Sequence, residues 1–460
     1  MKKLSLYLAL TLVLVIFAMP TFAQDMLDNP AVHTECEVDL TGETITLYHF
    51  GDLSGAYAFL TQPIVAAFDD GTAWFNAHGG ICGAEFVHVF EDTGGDLEAT
   101  QSAYDRFTSE YGDDLDLLVL YSSPDSELLR EQVAEDEITV MISAGSVEGL
   151  YGEDGQTPTW LFATNPLYIN QFGSFCDYVA ANPDTFPDPV IGHITWPGAF
   201  GQAAATPAGD DYCTNLGVEV IDDAEIFLPT DTDILTQVQN LLDQGATILY
   251  TNTLATGPAL VAATVVDLGV EDDVTLAGVN WVMDTSVGIL GQRALKADGM
   301  PSVDGMYGSI PFLWWTETSE PAVQFVTQEW AANERTLSDR NIAYLLSWGS
   351  VDAIVETYIQ TLNRVGSLDA LTGADLRETL EGIDYAVLGG IWQLVYPEGY
   401  RDATANRIAQ IRFANADGSG VATSPDDVMT IDDGQGNMLM VPIVVPVTEF
   451  QEAPNLRGGE

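Results

Sequence analysis

Short apolar runs alternate with longer amphipathic stretches along most of this chain, and that alternation decides the fold class. "TITLYHF" (44–50), "EFVHVF" (85–90), "LDLLVL" (115–120) and "ITVMI" (138–142) have the length and composition of strands. Between the first two, Ile64, Phe68 and Phe75 share one face of a helical stretch with Pro63 near its start. Ala99, Ala103, Phe107 and Tyr111 mark a second helix around 96–111, and 125–135 reads as a third. Strands that alternate with helices build a parallel, doubly wound sheet. The pattern restarts after "LFATNP" (161–166) with a helix at about 168–181, "VIGHI" (190–194) and a helix near 200–215. "GVEVID", the helix "DILTQVQNLLDQ", "ATILYT" (246–251), a helix at 256–268 and "VTLAGV" (274–279) complete it. Two successive α/β units are therefore expected, each about 110–120 residues long. Beyond them, "DGMYGSIPF" (304–312) reads as a strand, and 320–332, 339–365 and "DLRETLEGI" as helices. After 385 the chain is strand and turn, with "NADGSG" as a hairpin turn.

The ends and the charge narrow the class of function. Lys2 and Lys3, the apolar "LSLYLALTLVLVIFAM" and the small-x-small "TFA" before Gln24 read as a signal peptide (1–23) cleaved near Ala23. The apolar run is shorter than the ~20 residues of a spanning helix. The expected product is exported to the periplasm or the space outside the cell, with an N-terminal arm over 24–40. Loss of the two lysines takes the formal charge from −55 to −57 and leaves one lysine, Lys296, and 11 arginines. Such a field repels nucleic acid and anionic membranes, so neither is expected as a partner. A solvated acidic surface is the plain reading of the acidity.

Four cysteines, Cys36, Cys82, Cys176 and Cys213, in an exported chain imply disulfides, for which three connectivities exist. Cys36–Cys82 and Cys176–Cys213 are expected, since each pair falls within one predicted domain. No C-x-x-C pair occurs and the five histidines are scattered, so no metal site is expected. "NADGSGVATSPD" (415–426) has carboxylates near calcium-loop positions but lacks the terminal Glu and the helical flanks, and reads as a turn. G-x-S-x-G, H-E-x-x-H and Walker A sequences are absent; neither enzymatic activity nor a cofactor is expected. "WFNAHGGICG" (74–83) looks like a phosphate-cradling glycine loop, but those run from strand to helix. Here a helix ends and a strand begins, so Gly79 and Gly80 fit a helix C-cap and Gly83 a tight turn.

Order and motifs together resemble the type I periplasmic binding proteins, in particular the leucine/isoleucine/valine-binding branch that serves ABC importers. The resemblance rests on "GDLSGAYA" after the opening strand, "FNAHGGICGAEFVHVFEDTGGDLEAT" (75–100), "ISAGS" (142–146), "AFGQ" (199–202), "ILYTNTLATGPALV" (248–261) and "LAGVNW" (276–281). It covers roughly residues 44–412, and the Asn-x-x-Gly-Gly-x-x-Gly block is its most specific part. It implies two doubly wound parallel-sheet lobes joined by three crossovers, with the ligand in the cleft between them. Lobe 1 would comprise 41–164 plus 310–386, lobe 2 165–309 plus 387–446, and 447–460 a C-terminal tail. It also implies a monomer that captures a small polar metabolite by lobe closure and delivers it to importer permease subunits. A sensory protein reporting to a membrane receptor would have the same fold.

Candidate ligand-binding residues follow from strand ends. In lobe 1 they are Tyr57, then Tyr121, Ser122 and Ser123 after "LDLLVL", and Ala144, Gly145 and Ser146 after "ITVMI". The resemblance implies that these two later loops hold a ligand carboxylate; the alternative is that the serines cap the following helices. In lobe 2 they are Tyr168, Trp196, Phe200, Tyr250, Asn252, Asn280 and Trp281; Tyr168, like Tyr57, reads alternatively as a surface aromatic, and the other aromatics as core. Phe200 stands where the family usually has a tyrosine and would stack on the ligand. Asn280 stands about where an amino-acid binder of the family carries an acid for the ligand's ammonium. An amide carries no charge, which puts an α-amino acid in doubt and leaves amides, aromatic acids and other small polar metabolites open. The alternative is that Asp284, four residues on, substitutes for that acid.

Overall fold

The computed structural model describes residues 27–120, 122–432, 436 and 438–458, so the signal-peptide segment and Tyr121 lie outside the described residues. Strands β1 (Thr44–Gly51), β2 (Glu85–Asp92), β3 (Leu117–Leu120), β4 (Thr139–Ile142) and β5 (Leu161–Ala163) form one parallel sheet, in the order β2-β1-β3-β4-β5. Helices α1 (Ala58–Ala77), α2 (Leu97–Tyr111), α3 (Ser123–Glu135) and α4 (Val147–Tyr151) connect its strands. The β3 and β4 strands are buried at every position, as strands covered on both faces must be.

Helix α5 (Tyr168–Ala181) opens the second lobe. Its sheet runs β18 (Pro442–Pro446), β15 (Ile408–Phe413), β11 (Tyr307–Ser309), β10 (Thr275–Gly278), β9 (Ile248–Thr251), β6 (Val190–Thr195) and β7 (Glu219–Val220), with β8 (Glu225–Ile226) also on β6. Its core is parallel, and the returning β15 and β18 are antiparallel. The helix expected near 200–215 is two, α6 (Gly198–Gly201) and α7 (Pro207–Asn215), and the strand expected over 304–312 is only the three residues of β11. Helices α8 (Leu235–Asp243), α9 (Thr256–Leu268) and α10 (Thr285–Leu290) complete this lobe.

Helices α11 (Pro321–Ala332), α12 (Ile342–Val365) and α13 (Gly373–Gly382) return to the first lobe, where α12 packs along α1. The hairpin of β12 (Asp384–Val387) and β13 (Trp392–Val395) packs on α12 and α13. A lobe boundary at 387 would cut that hairpin; the chain leaves the first lobe later, near Asp402, which bridges to Ala163 at the end of β5. Two small ladders remain, β14 (Ala405–Asn406) with β19 (Gln451–Glu452) and β16 (Thr430–Asp432) with β17 (Met438–Met440). The "NADGSG" run is a turn closed by Asn415 and Gly420, whose backbone N–H and C=O meet at 2.9 Å.

Both disulfides form as expected, Cys36–Cys82 and Cys176–Cys213, each with Cα atoms 5.4 Å apart. In the glycine block, Gly80 adopts φ +67°, and a Cβ there would meet the Ala84 carbonyl oxygen at 1.8 Å. That turn sends the chain from α1 into β2. Helix α12 is buried almost all round, although it carries Asp352 and Glu356. The N-terminal arm supplies their donors. Asn29 Nδ2 donates to Asp352 at 2.7 Å, His33 Nε2 lies 3.0 Å from it, and the Thr34 N–H donates to Glu356 at 2.9 Å. Tyr385 and the Leu388 N–H complete the Asp352 shell, each at 2.8 Å. The arm is thus a strap that satisfies carboxylates no buried helix could otherwise keep.

Candidate functional site

The loops that leave the C-terminal ends of β1, β3, β6, β9 and β10 meet between the lobes. Tyr57, at the start of α1, stands edge-on to Trp196 and Phe200 across the lobes, with ring centroids 6.4 and 6.1 Å apart. Its loop is shaped by Asp52, which accepts from the Gly55 N–H and, at 2.9 Å, from the Tyr57 N–H. Phe200 sits in α6, the short helix that follows β6, and is also edge-on to Tyr168 at 5.3 Å. Tyr168, the first residue of α5, accepts from Trp281 Nε1 at 2.9 Å. Burial raises the pKa of both tyrosine hydroxyls, so they stay protonated.

Polar atoms interleave with these rings. Asn252 Nδ2 donates to the Phe200 carbonyl at 2.6 Å. The Asn280 N–H donates to Gln171 Oε1 at 2.8 Å. Yet Asn280 Nδ2 and Oδ1, Asn252 Oδ1 and Trp196 Nε1 are buried without a hydrogen-bonding protein partner, while Ser123 lies against the Tyr168 hydroxyl. Such groups are uncommon inside proteins, and each calls for an explanation. Asp125, near the start of α3, accepts from Thr100 Oγ1 at 2.8 Å. Burial pushes its carboxyl up to about 6, opposed by hydrogen bonds from Thr100 and Ser122 and reinforced by the charge of Asp52.

Of the sequence candidates, Tyr57, Ser123, Tyr168, Trp196, Phe200, Asn252, Asn280 and Trp281 therefore stand at the interlobe edges, and Ser122 is half-buried beside them. Ser146 is otherwise engaged. It caps α4 by accepting from the Gly149 N–H at 3.3 Å and donates to Glu127 at 2.6 Å, so the capping reading describes it. Ala144 and Gly145 are buried in the loop that leads to it. Tyr250 is core: its ring packs on Phe172 at 4.8 Å and Phe175 at 5.6 Å, beneath α5. Asp284 caps α10 through the Ser286 N–H at 3.2 Å, and burial pushes its carboxyl up to about 6. Gln171, which holds both the Asn280 N–H and the Pro166 carbonyl, is not among the sequence candidates. Its place one turn after Tyr168 on α5 is the signal that could have found it. The strained Ala255, at φ +33° just beyond Asn252, leaves no trace in composition.

The sequence pattern that defines the family described as "Periplasmic binding protein" matches residues 44–420. The chain belongs to that family. Its members are exported solute-binding proteins that act with ABC transporters. Among solved structures, the chain is similar to a branched-chain amino acid ABC transporter protein of Thermus thermophilus with bound valine, at TM-score 0.69 and 14% identity over 89% of this chain and 98% of that one. It is also similar to a fatty acid ABC transporter substrate-binding protein of Thermomonospora curvata, at TM-score 0.64 and 19% identity over 88% and 97%. A third is an R. palustris solute-binding protein in complex with 4-hydroxybenzoate, at TM-score 0.65 and 14% identity over 89% and 98%. At such identities the likeness concerns the fold. No curated protein matches the sequence. Among the described residues, no helix is long and apolar enough to cross a membrane, and no group of three or more His, Cys, Asp or Glu could hold a metal ion.

Proposed function

We propose that this chain is the exported capture component of an ABC importer and that it takes a small polar metabolite into the interlobe cleft. Lobe 1 contributes Tyr57 and Ser123; lobe 2 contributes Tyr168, Trp196, Phe200, Asn252, Asn280 and Trp281. The observation that carries the reading is the set of buried, unpartnered side-chain atoms at strand ends, walled by aromatic rings from both lobes. A ligand with an apolar body and a few polar groups would satisfy those atoms and stabilise the closed pairing of the lobes. The relatives of known structure hold valine, a hydroxybenzoate and, by name, fatty acids, so the fold alone leaves the solute open. Export after cleavage near Ala23 and docking to a permease complete the proposal.

The test is a thermal-shift screen of the mature protein against amino acids, amides, aromatic acids and fatty acids, with small-angle scattering on any hit. A saturable rise in melting temperature together with a smaller radius of gyration is expected. Silence across the whole panel, or binding that Trp196→Ala and Phe200→Ala leave untouched, would sink the assignment.

A further inference from the structure

Asn280 sits at the C-terminal end of β10 and is fully buried, and its backbone N–H is already taken by Gln171. Its side chain offers one donor and one acceptor side by side, and neither has a protein partner. The next residue, Trp281, joins the aromatic cluster through Tyr168. The carboxylates closest in the chain to the lobe 1 rim, Asp52 and Asp125, are occupied by the Gly55 and Tyr57 N–H groups and by Thr100. Asp284 caps α10 through its Oδ2, and its Oδ1 is buried without a protein partner. None of the arginine ion pairs among the described residues involves Asp52, Asp125, Asp284 or any of the cluster residues. Besides one oxygen of Asp284, the polar atoms left over around Asn280 are those of neutral groups: the Asn280 amide, the Asn252 carbonyl oxygen and the Trp196 N–H.

A dry amide pairs poorly with a full charge, because neither an ammonium nor a carboxylate recovers there the hydration it loses. It pairs well with a second amide edge, where each N–H donates to the other's C=O. Resting on the solute-binding reading above, we infer that the ligand presents a neutral carboxamide edge to Asn280 and a flat aromatic body to Trp196, Phe200, Tyr57 and Tyr168. The site thereby selects against zwitterionic amino acids. The aromatic walls favour a planar ring over a branched aliphatic chain, since ring-on-ring packing adds to the area buried.

Titration calorimetry of the mature protein with benzamide, 4-hydroxybenzamide, 4-hydroxybenzoate, leucine and valine tests this. The amides are expected to bind at least about tenfold more tightly than the acid or the amino acids. Asn280→Asp, which keeps the shape, should weaken the amides at least about tenfold and narrow the gap to leucine; Asn280→Ala should weaken the amides alone. Circular dichroism of each variant confirms that it is folded. If leucine, valine or 4-hydroxybenzoate binds the wild type more tightly than benzamide, the carboxamide inference falls and solute capture stands. The inference falls likewise if Asn280→Ala leaves benzamide affinity within twofold. If nothing in this set or in the wider screen binds, both fall together.

Discussion

The last crossing from the first lobe to the second is buckled by one carboxylate, and removing a single oxygen beside it should be costly. Asp402 is fully buried and accepts from the Tyr151 hydroxyl, from the Leu167 N–H at 3.1 Å and from Asn170 Nδ2 at 3.2 Å. It thereby ties this crossover to the earlier one at the head of α5. The Tyr151 hydroxyl also accepts from the Arg401 N–H at 2.6 Å. Tyr151→Phe removes a hydrogen bond to a charged group, worth about 1.5–3 kcal/mol, and orphans a buried N–H at about 1–3 kcal/mol. A loss of about 3–5 kcal/mol is expected at neutral pH, since two donors to Asp402 remain. Burial raises the Asp402 pKa, opposed first by Tyr151 and then by the Leu167 N–H, Arg457 and Asn170. A carboxyl raised above its unfolded value of about 4 favours the folded state below that value, and the benefit is lost as pH rises through the folded pKa. Without Tyr151 the folded pKa rises further, so the penalty of the variant should shrink as pH falls from about 8 towards about 5. Urea unfolding followed by tryptophan fluorescence at both pH values reads this directly. A penalty under about 1 kcal/mol at the higher pH, or one that grows on acidification, would refute the buckle.

His33 makes a second pH-dependent contact. Burial lowers its pKa, but the hydrogen bond to Asp352 and the charges of Asp352 and Glu356 outweigh that and raise it overall. Its stabilisation is complete below about 6.5 and fades as pH rises through the folded value, so His33→Ala should cost stability near pH ~6 and little near pH ~9, read by urea unfolding at each. Reduction of the disulfides, which close spans of 46 and 37 residues, should lower unfolding free energy by about 2–4 kcal/mol each, read as a shift in urea midpoint with and without reductant. Trp196→Phe keeps a ring but loses the unpartnered N–H, and should weaken the captured solute about tenfold by calorimetry, with a lower urea midpoint from the smaller buried ring. Gly80→Ala should destabilise by more than about 1 kcal/mol in the same unfolding assay, because both its φ and the Ala84 carbonyl forbid a Cβ.

The sheets are legible in the sequence because strands covered on both faces leave continuous apolar runs, and the crossover helices leave a 3.6-residue period. The disulfides are legible because the two α/β units separate the four cysteines into pairs. The strap is not. On a helix pattern, Asp352 and Glu356 look like a solvated face, and only the polar arm folded onto them makes their burial tolerable. Its contacts link residues more than 300 positions apart, and short polar residues such as Asn29 and Thr34 give no sign of their partners. The hairpin Asp384–Val395 reads as strand and turn, yet its lobe cannot be read, since a two-stranded ladder packs equally well on either one.

The site itself shows where a strand-end rule stops working. The same rule selects Tyr250 and Asn252, which are two residues apart. Tyr250 lies inside β9, so its ring enters the layer between sheet and α5, where Phe172 and Phe175 hold it. Asn252 lies one residue beyond the last hydrogen-bonded pair, and from there its side chain reaches α6 at the interlobe edge. A missing partner does not by itself make this division: Asn280, beyond its strand, keeps unpartnered amide atoms, but so does the hydroxyl of Tyr250 inside β9. Ser146 adds the second limit. It stands beyond its strand, but a short helix begins at once and takes its hydroxyl as a cap. A residue after a parallel strand is therefore free for a ligand only when the helix behind it can begin without its side chain. Asn280 meets that condition, because Asp284 caps α10 in its place.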